Sequence, residues 1–74
     1  MWSEGSLKIQ NSLFHYWMKA YKEGSSWGID GGKISKLLLK RDGKIEAHYD
    51  RGWDVEPADS DTKLAVDILL HSNN

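Results

Sequence analysis

Apolar and polar positions in the first twenty-one residues alternate with the two-residue period of a half-buried strand. Leu7 and Ile9 alternate with Ser6, Lys8 and Gln10, and the segment 5–10 reads as one strand. A second strand spans 13–21, with Gln10-Asn11 as a short turn between them. That two-residue loop sets Leu7 opposite Phe14 and Ile9 opposite Ser12, which gathers Leu7, Ile9, Phe14, Tyr16 and Met18 on one face. His15, Trp17 and Tyr21 are left on the other face, a more amphipathic set than a plain solvated sheet surface requires.

A second hairpin is predicted over 34–40 and 44–49 around Arg41-Asp42-Gly43. A loop of two residues would pair Leu39 with Glu46 and mix polar with apolar on each face. A three-residue loop, with Gly43 at the left-handed position, pairs Leu39 with Ile45, Leu37 with Ala47 and Ser35 with Tyr49. Because a slip of one residue flips every side chain, the cleaner segregation favours the longer loop. Its apolar face is Leu37, Leu39, Ile45, Ala47 and Tyr49; Lys36, Leu38, Lys40, Lys44, Glu46 and His48 take the other. Residues 50–58, punctuated by Gly52 and Pro57, are expected to turn away from the sheet.

Asp59, Ser60 or Asp61 then caps a helix over 60–71, with acids at its positive end. Leu64, Ala65, Ile68 and Leu69, widened by Val66 and Leu70, form its apolar stripe, and Lys63, Asp67 and His71 its solvent stripe. A helix this short is marginal alone in water and must pack on the sheet. The expected fold is α+β: one domain over residues 1–74, a four-stranded antiparallel meander with the C-terminal helix across its apolar face.

Composition narrows the functional classes. With 74 residues and no cysteine the chain has a thin core, no disulfide and no thiolate metal site. No apolar run approaches the roughly 20 residues of a membrane span, and Met1-Trp2-Ser3-Glu4-Gly5 lacks the pattern of a secretory signal, so a cytoplasmic location is expected. Residues 1–41 carry seven basic and three acidic side chains and residues 42–74 three basic and eight acidic, which folding is expected to bring together as cross-strand pairs such as Lys36, Lys40 and Lys44 with Glu46.

The glycine-rich segment 22–33 invites a phosphate-loop reading at Gly31-Gly32-Lys33. Trp27 stands where the motif needs glycine, Ile34 where it needs serine or threonine, and a strand follows rather than a helix. Trp27 and Ile29 are instead expected to fold back onto the sheet. His48 with Asp50 two residues on, beside Arg51, is the nearest approach to a catalytic pair, but no nucleophile accompanies it and no spacing completes a metal site. No enzyme, cofactor or metal is therefore expected. Within 49–54, Arg51 between Asp50 and Asp54, with Trp53 alongside, reads either as a structural knot or as a recognition turn.

Four tryptophans in so short a chain leave a choice between core and interface. The candidate partner-binding residues are His15, Trp17, Tyr21, Trp27, Arg51 and Trp53, and the leading expectation is a non-catalytic protein-interaction module. Lys8, Lys19, Lys33, Lys36, Lys40 and Arg41 with Trp17 and Tyr21 make a nucleic-acid-binding sheet the alternative, against which stand a pI near 6.3 and the acids of the second half. A homodimer paired through a sheet edge is a third.

Two stretches, Gly28-Ile29-Asp30-Gly31-Gly32-Lys33-Ile34-Ser35-Lys36-Leu37 and Tyr49-Asp50-Arg51-Gly52-Trp53-Asp54-Val55-Glu56-Pro57, resemble a family of small proteins of Gram-positive bacteria, their phages and mobile elements. The resemblance extends to the Trp2–Gly5 opening and the C-terminal helix. It implies an accessory protein that acts by occupying a surface of a host protein, such as an inhibitor of anti-phage defence.

Overall fold

The computed structural model describes residues 2–21, 28–29 and 32–73. Five antiparallel strands run in chain order across one sheet: β1 (Trp2–Ile9), β2 (Ser12–Ala20), β3 (Ile34–Arg41), β4 (Lys44–Asp50) and β5 (Trp53–Val55), followed by α1 (Ser60–Asn73). The α+β class, the meander and the C-terminal helix agree with the sequence pattern. The strand number differs by one.

The first hairpin adopts the expected register, Leu7 opposite Phe14 and Ile9 opposite Ser12, and continues to Trp2 opposite Lys19. Ile9, Phe14 and Met18 are buried, and Leu7 and Tyr16 pack against them. Tyr16 faces Gly5, and a Cβ at Gly5 would lie 2.6 Å from its hydroxyl oxygen, so the ring crosses β1 at the position that carries no side chain.

The second hairpin departs from expectation. Its turn has two residues, Asp42 (φ 53°) and Gly43 (φ 75°), the left-handed pair whose twist suits a tight hairpin. Arg41 faces Lys44 and Lys40 faces Ile45; a bulge at Glu46 then shifts the register, so that Leu39 faces Ala47 and Leu37 faces Tyr49. The bulge achieves the segregation that the longer loop was invoked to explain. Leu37, Leu39, Ala47 and Tyr49 are buried as expected, whereas Ile45 is left 45% exposed.

Residues 53–55 do not turn away but add the fifth strand, Tyr49 facing Trp53 and His48 facing Val55. Arg51 at φ 56° makes the reversal tight enough for the chain to pair again. Trp53 meets the buried Tyr49 ring edge-on at 5.1 Å and closes that margin of the core.

Asp59 caps α1: its Oδ1 accepts the Thr62 N–H at 2.7 Å. The Arg41 guanidinium donates to Asp59, to Glu46 and, at 3.1 Å, to the Ser12 hydroxyl, while its carbon lies 5.1 Å from the Phe14 ring centre. The guanidinium knot of the domain is therefore Arg41, joining three strands to the helix. Arg51, the expected centre, is exposed and only 3.8 Å from Asp50, because its left-handed backbone puts it at a turn tip. The charge pairing changes with it. Glu46 serves Arg41, with Lys44 at 3.9 Å, and Lys36 pairs with Asp50 at 3.9 Å.

With its cap held by Arg41, the helix turns Thr62, Ala65, Val66 and Leu69 to the sheet. Leu64 and Ile68, expected in the stripe, are 47% and 37% exposed. Thr62 Oγ1 is buried with no hydrogen-bond partner among the described residues and acts on the cap as a nearby dipole. The Thr62 hydroxyl and amide, with the Arg41 guanidinium, lower the Asp59 pKa from 3.8 to about 2. A carboxyl with a lower pKa folded than unfolded adds stability above its unfolded pKa and loses it as the folded form protonates. Thermal stability is thus expected to fall as pH drops from 3.8 towards 2. In Asp59→Asn, which still caps but cannot titrate, a melting series over that range should fall less steeply; an unchanged slope would refute the assignment.

Candidate functional site

Helix α1 covers one face of the sheet, and the opposite face carries the remaining aromatic and basic side chains. Because β1 and β2 alternate strictly and the β2–β3 register holds from Phe14 to Lys19, residues from four strands line up across that face. Glu4, Trp17, Leu38 and His48 form the central row, with Val55 of β5 opposite His48. Trp2, Lys19, Lys36 and Asp50 form the row on one side, and Ser6, His15 and Lys40 the row on the other.

The sheet is hollowed here into a cavity of about 400 Å³, lined by Trp2, Trp17, Lys36, Leu38, His48 and Asp50 and backed by Leu37 and Tyr49. The side chains around it are mutually braced. The His15 and Trp17 ring centres are 4.3 Å apart, and His15 Nε2 is 2.9 Å from Glu4. The Lys40 ammonium lies 5.9 Å from the Trp17 ring centre, and that of Lys19 lies 5.9 Å from Trp2 and 5.4 Å from Tyr21. Lys19, helped by Ser35 and Lys36, holds the Tyr21 phenol below its ordinary pKa. His48 Nδ1 is 3.0 Å from Asp54, not paired with Asp50 as the sequence spacing suggested, because the bulge at β5 brings Asp54 alongside.

Of His15, Trp17 and Tyr21, which sequence reasoning placed on one face, the structure brings His15 and Trp17 into contact, with Trp17 half-buried in the cavity wall. Tyr21 is exposed beside Lys19, and neither His15 nor Tyr21 lines the cavity. Trp53 is part of the core margin and Arg51 sits at the adjoining turn, so neither joins the cavity lining. Trp27 lies outside the described residues. Trp2, Lys36, Leu38, His48 and Asp50 were not selected as site residues, although the alternation of β3 and β4 had already put Lys36, Leu38 and His48 on one face.

Among the described residues no group of three or more His, Asp or Glu side chains is placed to hold a metal, and no helix is long and apolar enough to cross a membrane. The charge halves of the sequence meet in pairs such as Lys36 with Asp50 and Arg41 with Glu46, and the rest is unevenly spread. Lys8, Lys19, Lys36 and Lys40 lie on the open face, while Asp59, Asp61 and Asp67 belong to the helix and its cap on the other.

These features define a small open-faced α+β domain, with one sheet face closed by a helix and the other presenting a braced aromatic hollow with Lys36, His48 and Asp50 in its lining. The chain belongs to the family described as Domain of unknown function (DUF7678), which matches it over residues 1–74. No curated protein and no solved structure matches it.

Proposed function

We propose that the protein is a non-catalytic protein-interaction module that captures a partner segment in the hollow between Trp17 and Leu38. The observation that carries this reading is the hollow itself: about 400 Å³, lined by Trp17 and Leu38 with Lys36, His48 and Asp50 among its polar residues, while Lys19 and Lys40 stand over its two tryptophans. Binding pockets span roughly 300–1,000 Å³, so the volume suits one aromatic or branched anchor with its neighbours. An apolar centre inside a charged rim is the usual anatomy of a protein interface, with tryptophan a favoured hot spot. With Lys36 already paired to Asp50, it is Lys19 and Lys40 that favour a segment with an acidic residue beside its apolar anchor, and the bracing of Trp17 by His15 and Lys40 reduces the entropy lost on binding. The resemblance to phage and mobile-element proteins supports a partner in the bacterial host, a defence protein among them, which the module would inhibit by occupying its surface.

Selection from a random peptide library against the immobilised protein tests this. Enriched sequences should join Phe, Tyr or Leu to Asp or Glu, and Trp17→Ala should weaken their affinity by about 30-fold, the size of a hot-spot loss. Leu64→Ser, on the exposed side of α1, should leave it unchanged. Peptides that bind Trp17→Ala equally well would overturn the reading. So would single-stranded DNA or RNA binding in their place, with affinity falling steeply as salt rises.

A further inference from the structure

β1 is an edge strand with one neighbour, β2, among the described residues. Edge strands normally carry a device against pairing with another chain: proline, a bulge, brevity, a covering element or charged side chains, lysine above all. β1 has eight residues, no proline, and pairs with β2 without a register shift. Its two charges, Glu4 and Lys8, are of opposite sign and lie on the same, open face.

Their placement fits the strand to a copy of itself. Ile9 and Ser12 close the two-residue turn and so form a hydrogen-bonded pair, which makes Leu7 and Gly5 the next residues to turn their backbone groups towards β2. Lys8, Ser6 and Glu4 therefore direct N–H and C=O outward along the free edge. An antiparallel copy centred on Ser6 sets Ser6 against Ser6 and Glu4 against Lys8 at both ends. Every facing residue in that register belongs to the outward-directed set, so each pair exchanges two backbone hydrogen bonds. Each lysine also meets a glutamate across the seam. The two-fold axis stands perpendicular to the sheet, so both helices fall on one side and both Trp17 hollows on the other.

We propose that the chain forms a two-fold dimer through β1, with Glu4 facing Lys8 of the second copy in one continuous sheet. The seam lies at the edge of the sheet, although Glu4 also meets His15 on the open face, and the dimer stands whether or not the hollow takes a peptide.

Sedimentation equilibrium of the wild type, Glu4→Lys, Lys8→Glu and the double swap tests the register. The wild type should sediment as a dimer of the 8.5 kDa chain at submillimolar concentration. Each single swap places like charges opposite and should raise the dissociation constant about tenfold or more. The double swap reverses both charges and should restore the wild-type value. Glu4 and Lys8 are exposed and the Glu4–His15 contact lies at the surface, so circular dichroism should show each variant still folded. A wild type that stays monomeric overturns the proposal, and so does a dimer insensitive to the single swaps or not rescued by the double.

Discussion

Phe14→Ala is expected to remove a large share of the domain's stability at room temperature. Phe14 has no exposed surface and stands between Leu7 of β1 and Arg41 of β3, directly under the guanidinium knot. Deleting such a ring removes its transfer energy and leaves a cavity, at a cost of about 3–5 kcal/mol. At about 0.05–0.15 kcal/mol per residue, a domain of this size has only about 4–11 kcal/mol in all. The loss also reaches beyond the cavity, because Arg41 rests on this ring while holding Asp59, and Asp59 sets the rotation of α1. In urea titrations followed by circular dichroism the midpoint should fall far below that of the wild type. Leu13→Ala, one position along but 62% exposed, should stay within about 0.5 kcal/mol of the wild type. A Phe14→Ala protein as stable as that control would contradict the packing described.

The second large effect is expected at Gly28. A Cβ there would lie 1.9 Å from the Gly32 carbonyl oxygen and 2.8 Å from its carbon. These are backbone atoms and cannot rotate aside. The Gly32 N–H donates to the Ile29 carbonyl at 2.9 Å, and the Lys33 carbonyl accepts from Tyr21 at 2.9 Å, so a shift of the carbonyl disturbs the start of the β2–β3 pairing. It also draws Ile29, which is 2% exposed, out of the core. Gly28→Ala should cost about 3 kcal/mol, the upper range for overpacking. Gly52→Ala, where the added Cβ meets nothing within 4 Å, should be near neutral. Equal melting temperatures for the two variants would show that the backbone does not approach this closely.

What the sequence could reveal about this fold depended on how far each feature was local. The first hairpin was legible because alternation and loop length both point to one register, and no bulge intervenes. The second was misread because two devices gave the same face pattern. A three-residue loop and a two-residue turn followed by a bulge at Glu46 both segregate Leu37, Leu39, Ala47 and Tyr49 from the polar set, and only Ile45 differs. The helix was placed correctly but rotated wrongly. Hydropathy favoured Leu64 and Ile68 as core, whereas the bond from Arg41 to Asp59, eighteen positions apart, fixes the orientation and buries Thr62 instead.

The open face shows the same division. His15, Trp17 and Tyr21 were found because they alternate on one strand. Trp2, Leu38 and His48 complete the hollow only once β1, β3 and β4 are laid beside β2, and composition assigns none of them to a site. The His48–Asp50 spacing pointed to the wrong carboxylate because nothing local announces that the chain returns as β5 and brings Asp54 to 3.0 Å.

The central claim is that the hollow at Trp17, on the face opposite the helix, is the surface that binds. The indole N–H signals of the four tryptophans in a two-dimensional ¹H–¹⁵N spectrum test it most directly, followed as a selected acidic-aromatic peptide is added. The signals of Trp17 and Trp2 should move in proportion to occupancy while that of Trp53, packed on Tyr49, stays fixed. Movement of Trp53 with Trp17 and Trp2 unmoved would contradict the account and place binding at the far margin of the sheet.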